Sequence, residues 1–317
     1  MADRPQHWSN ITETSSILGM KILLTCYQLF GHTGFRLFLA PVILYFYIKN
    51  ASARAASKEY LTKIAPFFPI EKQKKMTSLR HFFTFGEMLL DKFLVWMGQI
   101  EKQDIVFETA EAFKKIKLDS RGGIIVVSHL GNTEICNAIG NQLPDVKVTM
   151  LVHTKHAQKF NKMMQKTKSK ASFSIMQVTE ITPATAMILS ERVANGEYVV
   201  ITGDRTPVNG GGRVSHVDFL GSKAALPQGP FILASLLACP VYLMFCLKQD
   251  ASYHIYVESF SEDLACHRKE RQQKLEEAVT RYARRLEHYC LLAPLQWFNF
   301  FPFWQSNPSS DEASAKK

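Results

Sequence analysis

The amino-acid sequence predicts an α/β fold, in which a mostly parallel central sheet is flanked by helices and is preceded by N-terminal membrane-associated helices. From Asp104 onward, strand-like and helix-like segments alternate with short links, which is typical of a parallel sheet with helical connections. The strand-like segments are short and almost continuously apolar, so we expect both faces of the sheet to be covered. With 317 residues, of which 46% are hydrophobic, the chain is long enough to bury a sizeable core.

An apolar segment, Ile17–Ile48, precedes this alternation. Its longest uncharged runs, Ile22–Phe35 and Leu37–Ile48, are 14 and 12 residues long, whereas a spanning helix needs ~20. The residues that follow, KNASARAASK, are basic, as expected on the cytoplasmic side of an anchored segment. We therefore expect residues 1–58 to associate with a membrane through an interfacial or short anchoring helix. A helical hairpin in the protein core is the alternative.

Residues 59–304 are predicted to form the α/β domain. Helical spacing runs through residues 57–94 and is broken by two prolines. The predicted strands are, in order, IVFE, GIIVVS, VKVTMLV, SFSIMQV and EYVVITG. The helices predicted between them are TAEAFKKIK, NTEICNAIGNQL, AQKFNKMMQKTKS and ITPATAMILSERVANG. Gly203–Ala225 is expected to be a long glycine-rich loop.

The C-terminal part begins with the predicted helix QGPFILASLLA. Two strands follow, PVYLMFCLK and ASYHIYVES, and their polar link Gln249–Ala251 predicts a hairpin. His267–Cys290 is predicted to be a charged helix that packs one apolar stripe on the sheet: Leu275, Val279, Tyr282, Leu286 and Tyr289. Residues 305–317 are polar, and we expect them to be disordered.

The net charge of +10 and the pI of 9.2 indicate an anionic partner: lipid, nucleic acid or an acidic protein. The acid-free segment Val146–Thr179 contains seven lysines. Nucleic acid is disfavoured because the basic residues form no aromatic-interleaved motif of a nucleic-acid-binding fold. The six cysteines form no CxxC pair, so we expect reduced thiols facing a cytosolic compartment rather than a zinc cluster or a disulfide framework.

Polar residues of catalytic type follow the strand GIIVVS. Ligands of open α/β sheets bind beyond the carboxyl ends of the strands, and His129 is at that place. Glu134, five positions on, could hydrogen-bond the imidazole and set its tautomer. The same residues are compatible with a capping turn and a surface glutamate, and their spacing leaves both alternatives open.

A second polar group follows the strand EYVVITG. Asp204 and Arg205 come after its carboxyl end, so they could face the same crevice as His129. Gly210–Gly212 could offer backbone N–H groups to an anion, although a salt-bridged loop is the alternative. The chain lacks G-x-S-x-G and HExxH, so neither a hydrolase nucleophile elbow nor a zinc protease site is indicated, and we expect no metal.

Near the C-terminus, QWFNFFPFW has six aromatics in nine residues. Tryptophans at both ends of such a segment suit a membrane interface. The same segment could be an ordinary plug in the core.

These segments resemble the lipid A biosynthesis acyltransferase family, the bacterial late acyltransferases that use acyl carrier protein thioesters. SHLGNTE carries the family's His-x4-Glu, and GDRTP lies where the family has its Asp-centred block. VDFLGSKAALPQGPFILASLLACPVYLMF matches the family's Phe-(Leu/Phe)-Gly and Pro-x-Gly-Pro stretch, and APLQWFNFFPFW its closing Pro-x-Gln-(Tyr/Trp) block. The resemblance implies a lysophospholipid-acyltransferase-like fold, of the kind found in glycerol-phosphate acyltransferases.

The resemblance also implies a membrane-associated O-acyltransferase without a resident cofactor. It would move a fatty acyl group from an acyl carrier protein or coenzyme A thioester to a lipid or glycolipid hydroxyl, without an acyl-enzyme. His129 would be the general base and Glu134 its orienting acid. Asp204, Arg205 and Asn132 would bind substrate.

Three lysines in the acid-free segment would dock the acidic carrier protein or the anionic membrane: Lys155, Lys159 and Lys162. The location implied is the cytoplasmic face of the bacterial inner membrane. A non-catalytic lipid-binding or assembly protein with the same fold is an alternative, and a thioesterase is another.

The chain departs from the family pattern at two places. Asn299-Phe300-Phe301 stands where lipid A enzymes often have His-Arg-Arg, and the Asp block carries Arg205-Thr206 rather than an acid or amide and a tyrosine. These departures weaken the expectation that lipid A itself is the acceptor.

Overall fold

The computed structural model describes residues 17–96, 99–109, 111, 114, 116, 121–135, 147–152, 173–177, 182–206 and 213–304. Its helices are α1 (Ile17–Lys49), α2 (Ala51–Ile64), α3 (Ile70–Lys75), α4 (Ser78–Trp96), α5 (Pro183–Ala194), α6 (Gly229–Leu237) and α7 (Arg271–Leu292). Its strands are β1 (Ile105–Phe107), β2 (Ile124–Val127), β3 (Val148–Val152), β4 (Phe173–Gln177), β5 (Tyr198–Thr202), β6 (Val214–Phe219), β7 (Ser222–Pro227), β8 (Val241–Gln249) and β9 (Ser252–Ser261).

Within these described ranges, the main sheet has the strand order β1-β9-β8-β2-β5-β3-β4. Neighbouring strands run parallel except β8 and β9, which form an antiparallel hairpin. The hairpin turns at Asp250, whose φ of 52° is left-handed and tolerated by a short polar side chain. The predicted mostly parallel sheet and its C-terminal hairpin are therefore confirmed.

Both faces of the sheet are covered, as its continuous apolar strands predict. Along β2, Ile124 and Val126 join one buried cluster with side chains of α5, α6 and α7. Ile125 and Val127 join a second cluster with side chains of α1 and α4. Successive strand residues point to opposite faces, so four apolar residues in a row serve both layers. The border predicted between residues 58 and 59 lies inside α2.

The predicted helices α5 and α7 are confirmed. α5 is followed by Gly196, whose φ of 80° is the left-handed conformation that glycine adopts without steric cost. The apolar stripe of α7 is buried at every predicted position: Leu275, Val279, Tyr282, Leu286 and Tyr289. The helices predicted from NTEICNAIGNQL and AQKFNKMMQKTKS, and the tail 305–317, lie largely or wholly outside the described residues. The described cysteines are free thiols.

The prediction of one long loop over Gly203–Ala225 is wrong. β6 and β7 form an antiparallel hairpin in its second half. The hairpin turns at Leu220 and Gly221, whose φ values of 49° and 72° are both positive, as two-residue hairpin turns require. Along β6, Ser215, Val217 and Phe219 are buried, whereas His216 and Asp218 between them are exposed. The sequence VSHVDF shows this alternation, but the run of glycines just before it favoured the prediction of a loop.

The N-terminal apolar segment forms α1, which is interrupted at Gly31 by a φ of 65°. The portion Thr25–Lys49 is 25 residues long and apolar enough to cross a membrane. Large apolar side chains stand exposed along it: Leu29, Phe30, Leu37, Leu44, Tyr45 and Ile48. An exposed apolar surface of this extent suits contact with lipid, so α1 fits the expected membrane association.

One face of α1 packs closely on α4. A Cβ at Gly86 of α4 would lie 2.9 Å from Cδ1 of Ile43 and 3.0 Å from both Cδ atoms of Leu39. Glycine thus lets the two helices approach each other at this point. Beside the contact, Nε of Arg36 donates to Oε1 of Glu87 at 2.5 Å. α1 is therefore docked on the α/β domain by packing and by an ion pair.

Candidate active site

The candidate site lies where two neighbouring parallel strands end. Val127 of β2 pairs with Thr202 of β5, and the N–H of Gly203 continues the ladder by donating to the carbonyl of Val127 at 2.9 Å. His129 and Asp204 each stand two residues beyond this last pair. Equal offsets from paired residues place the two side chains next to each other at the carboxyl edge of the sheet.

Asp204 and His129 are joined by two hydrogen bonds. Nδ1 of His129 lies 2.8 Å from Oδ1 of Asp204, and the main-chain N–H of His129 donates to Oδ2 at 2.8 Å. A third donor is Nε1 of Trp297, which lies 3.0 Å from Oδ2. The Asp204 side chain is 2% exposed and that of His129 31%. A buried carboxylate with three donors holds the ring of a partly accessible imidazole.

The charges of the site favour a neutral imidazole. Burial lowers the pKa of His129, the Arg205 guanidinium lowers it further, and Asp204 opposes them only in part. Burial raises the pKa of Asp204, but His129, Arg205 and the hydrogen bonds outweigh it and hold that pKa below its usual value. An ionised carboxylate only accepts hydrogen bonds, so Nδ1 of His129 must carry the proton. The lone pair is then on Nε2, where a base can accept a proton.

The loop that carries His129 is clamped between β8 and the C-terminal segment. The N–H of Gly131 donates to the carbonyl of Gln296 at 2.8 Å, and the N–H of Phe298 donates to the carbonyl of His129 at 3.0 Å. Gly131 has a φ of 71°, and a Cβ there would lie 1.8 Å from the carbonyl oxygen of Cys246. The loop therefore needs glycine at this position, both for its conformation and for its contact with β8.

The C-terminal segment is itself fixed to β8 by a side chain. Oε1 of Gln296 accepts from the N–H of Lys248 at 2.9 Å, and its Nε2 donates to the carbonyl of Lys248 at 2.6 Å. The amide thus pairs with the strand as a backbone peptide would. The aromatic side chains around it are buried: Trp297, Phe298, Phe301, Phe303 and Trp304. Of the two alternatives for QWFNFFPFW, the structure supports the core plug, and this plug forms a wall of the site.

Asn132 caps the short helical turn that follows the loop. Its Oδ1 accepts from the N–H of Glu134 at 3.2 Å, so the amide orientation is set by a backbone donor. Its Nδ2 is buried and has no hydrogen-bond partner among the described residues. Glu134 is half-buried in the first helical turn. The acid described at Nδ1 of His129 is Asp204, and the orienting role of Glu134 stays a prediction.

Arg205 is half-buried beside the pair, with its guanidinium 5.6 Å from the centre of the Phe301 ring. The predicted docking lysines and the glycines of the following loop lie outside the described residues: Lys155, Lys159, Lys162 and Gly210–Gly212. In the part of the chain that is described, no cluster of His, Cys, Asp or Glu is placed to hold a metal ion.

Sequence reasoning placed His129 and Asp204 at strand ends but missed Trp297 as a partner of the site. The only feature of the sequence that pointed to Trp297 was its position next to Gln296 in the closing block. That segment is remote in sequence from both strands, and neither spacing nor composition indicates where it returns.

The sequence was also compared with known protein families. Residues 12–306 match the family model described as bacterial lipid A biosynthesis acyltransferase. The match covers most of the chain, from the N-terminal apolar segment to the aromatic wall of the site. No match was found among the curated proteins with which the sequence was compared.

Proposed function

Because the chain belongs to the bacterial lipid A biosynthesis acyltransferase family, we propose that it transfers a fatty acyl group from a thioester to the hydroxyl of a lipid or glycolipid. The donor is an acyl carrier protein thioester or the corresponding coenzyme A thioester. The observation that carries the proposal is the 2.8 Å contact between Nδ1 of His129 and Oδ1 of Asp204. That contact presents Nε2 of His129 as a base at the edge of the sheet where ligands bind.

In the proposed reaction, Nε2 of His129 takes the proton of the acceptor hydroxyl while the hydroxyl oxygen attacks the thioester carbonyl. The tetrahedral intermediate then collapses, the C–S bond breaks, and the leaving thiolate receives the proton from the imidazolium. Asp204 keeps the productive tautomer and stabilises the imidazolium between these steps. The acyl group passes directly from donor to acceptor, so no acyl-enzyme forms.

The negative charge of the intermediate needs donors near the base. Two groups support such a role. Nδ2 of Asn132 is a buried donor without a partner in the described chain, and a ligand oxygen would satisfy it. Arg205 contributes a positive charge strong enough to lower the pKa of His129. We propose that Asn132 and Arg205 stabilise the oxyanion, and that Glu134 supports the loop that carries Asn132.

The closing block supports an acceptor without the sugar phosphates of lipid A. Phe301 is 6% exposed and packs under Arg205, and the Phe300 ring lies 4.7 Å from the ring of His81. Apolar packing thus replaces the cations that often bind an anionic headgroup in this family. A lipid or glycolipid with an uncharged region beside its hydroxyl fits this wall better.

The proposed location is the cytoplasmic face of the bacterial inner membrane. The exposed apolar surface of α1, the basic residue Lys49 at its end and Arg54 beyond it support this orientation. The domain docks on α1 through α4, so the site is held near the bilayer from which the acceptor comes. The acid-free basic segment supports docking of the acidic carrier protein.

A transfer assay in membranes tests the proposal. Labelled acyl carrier protein and coenzyme A thioesters are offered with a panel of lipid acceptors, and products are identified by mass. We expect an acylated lipid from the wild type and a loss of about 10²–10⁴-fold in His129→Ala, the usual contribution of a general base. The control is His216→Ala, which removes an exposed histidine of the β6 strand.

The outcome of this assay separates the proposal from its rivals. Free fatty acid as the sole product would identify a thioesterase. No turnover of any donor by the wild type would favour a lipid-binding or assembly protein. Near-normal transfer by His129→Ala would exclude His129 as the base.

A further inference from the structure

A hydrogen-bonded chain runs from the middle of α2 and the first turn of α4 to the candidate base. We propose that Trp297 and His81 are positioning residues for acyl transfer: Trp297 holds Asp204 in register with His129, and His81 holds Trp297. This inference rests on the proposed function, since it concerns how the base of that reaction is kept in place.

Trp297 bonds to Asp204 and lies beside the loop that carries His129. Its indole Nε1 donates to Oδ2 of Asp204 at 3.0 Å, which leaves Oδ1 to face the imidazole. Its neighbour Phe298 donates its N–H to the carbonyl of His129, and Trp297 itself forms a β-bridge with Leu130. One segment therefore fixes the main chain of the base and the carboxylate that orients it.

The indole ring has little freedom to turn away from Asp204. It is 1% exposed, and four rings meet it edge to face, of which the Trp304 ring, 6.1 Å away at 81°, is the most distant. The Tyr60 ring lies 5.0 Å away at 71°, the Phe219 ring 5.2 Å away at 75°, and the Phe303 ring 5.0 Å away at 84°. Edge-to-face packing on several sides selects one ring orientation. The N–H is thus aimed at the carboxylate before any substrate binds.

His81 fixes the main chain of Trp297 from the other side. It is fully buried on α4, and its Nε2 lies 3.0 Å from the carbonyl oxygen of Trp297. A carbonyl only accepts, so Nε2 carries the proton and Nδ1 must accept. The hydroxyl of Ser57 therefore donates to Nδ1 at 3.0 Å, and the hydroxyl of Ser78 donates to Ser57 at 2.9 Å.

All donors in this chain point one way, from Ser78 through Ser57 and His81 to Trp297. Burial lowers the pKa of His81 to about 4, so the ring stays neutral and the pattern persists at neutral pH. A phenylalanine would fill the space beside Phe298 and Phe300 without a polar group to satisfy. A histidine with both nitrogens bonded instead specifies one position of the Trp297 carbonyl.

The test uses two matched substitutions of tryptophan. Trp297→Phe removes the donor to Asp204, while Trp304→Phe removes a similar volume from the same cluster. Nε1 of Trp304 has no hydrogen-bond partner among the described residues, and its ring lies 6.1 Å from that of Trp297. Packing loss is therefore common to both variants, and the bond to the carboxylate is lost in one.

Without the indole donor, the Asp204 carboxylate is a stronger acceptor for the N–H of His129. It therefore stabilises the imidazolium more, and the pKa of His129 rises. The acid limb is the low-pH side of the pH–rate profile, where the rate falls as His129 becomes protonated. We expect this limb to move to higher pH by about 0.5 to 1 unit in Trp297→Phe, a shift that corresponds to the net free energy of one hydrogen bond. Trp304→Phe should keep the wild-type limb. The other charged groups near His129 are unchanged in both variants: Asp204, Arg205, Lys92 and Glu134.

A second measurement does not depend on turnover. The pKa of His129, followed by NMR of labelled histidine in detergent, should rise in Trp297→Phe and not in Trp304→Phe. An unmoved pKa in Trp297→Phe would overturn the positioning role, even where the wild type transfers acyl groups normally. A pKa of His129 that rises in Trp297→Phe, together with a wild type that transfers no acyl group, would support positioning and reject the proposed function.

The His81 variants provide the comparison if Trp297→Phe does not fold. His81→Gln keeps an N–H near the position of Nε2, whereas His81→Leu removes it. We expect the acid limb of His81→Leu to shift upward and that of His81→Gln to stay near the wild type. Identical pH profiles for the two variants would overturn the role of His81.

Discussion

Nδ1 of His129 lies 2.8 Å from Oδ1 of Asp204, although 75 positions separate the two residues in sequence. The contact follows from the parallel pairing of β2 with β5, since each residue stands two positions beyond the paired Val127 and Thr202. The imidazole therefore receives its tautomer from a neighbouring strand end rather than from its own loop. The predictions for catalysis depend on this relationship.

Asp204→Asn should abolish most activity without removing the side chain. The main-chain N–H of His129 and the indole N–H of Trp297 both point at Oδ2, so they select the amide oxygen there. The amide nitrogen then faces Nδ1 and forces the proton onto Nε2, where it blocks the base. We expect the transfer rate to fall by about 10²–10⁴-fold with a melting temperature close to the wild type.

Glu134→Gln, measured together with Asp204→Asn, tests the sequence-based prediction that Glu134 orients His129. Asp204 raises the pKa of His129, so residual activity in Asp204→Asn should have its acid limb at lower pH. The same displacement in Glu134→Gln, with an unmoved limb in Asp204→Asn, would return the orienting role to Glu134.

The wild-type rate should depend on pH through a neutral His129. Burial and Arg205 lower its pKa, so transfer should decline with falling pH only below about 6.5, the ordinary value for histidine. Arg205→Gln removes a cation that disfavours the imidazolium, and its acid limb should move to higher pH. The exposed Arg213→Gln is the control. An Arg205→Gln profile at or below that of the wild type would contradict this electrostatic account.

His81 should make the fold sensitive to acid. Its pKa is about 4 in the fold and about 6.5 when unfolded, so below pH 6.5 the unfolded chain binds a proton that the fold does not. Stability then falls between pH 6.5 and 4, by about 3 kcal/mol at the lower limit. Melting temperatures of the wild type and His81→Gln across this range measure the effect. Parallel curves for the two proteins would show that His81 does not contribute.

Gly86→Leu should loosen the docking of α1. A side chain there meets Ile43 and Leu39 at 3.0 Å or less, and overpacking of this kind costs about 1–3 kcal/mol. We expect a lower melting temperature in detergent and faster proteolysis within α1. The control is Leu89→Phe, an enlargement at an exposed position of the same helix. Equal protease resistance of the two variants would argue against a rigid α1–α4 contact.

Charge reversal at three lysines should weaken donor binding. The substituted residues are Lys155, Lys159 and Lys162. Because long-range attraction to an acidic carrier protein is screened by salt, the apparent KM for the carrier-bound donor should rise most at low ionic strength, with an unchanged melting temperature. The control reverses three exposed charges at and near the start of α7: Arg268, Lys269 and Lys274. An unaltered donor KM would remove this basic segment from the docking site.

Local patterns were sufficient to predict most elements of the described fold. Alternation, helical spacing and turn residues act over a few neighbouring positions, and they predicted β2, β5, the β8–β9 hairpin and the buried stripe of α7. The β6–β7 hairpin was missed because its alternation adjoins a run of glycines. The closing aromatic segment was ambiguous, since the same residues suit a membrane interface and a core.

The residue pattern was enough to predict that His129 and Asp204 follow buried strands and that an apolar helix precedes them. The bond of Asp204 to the imidazole and the bond of Trp297 to Asp204 became visible only in the folded chain. The two kinds of feature differ because the underlying interactions differ in range. Strand and helix patterns are written in adjacent residues, whereas these hydrogen bonds depend on strand register and on where the C-terminal segment crosses the sheet edge.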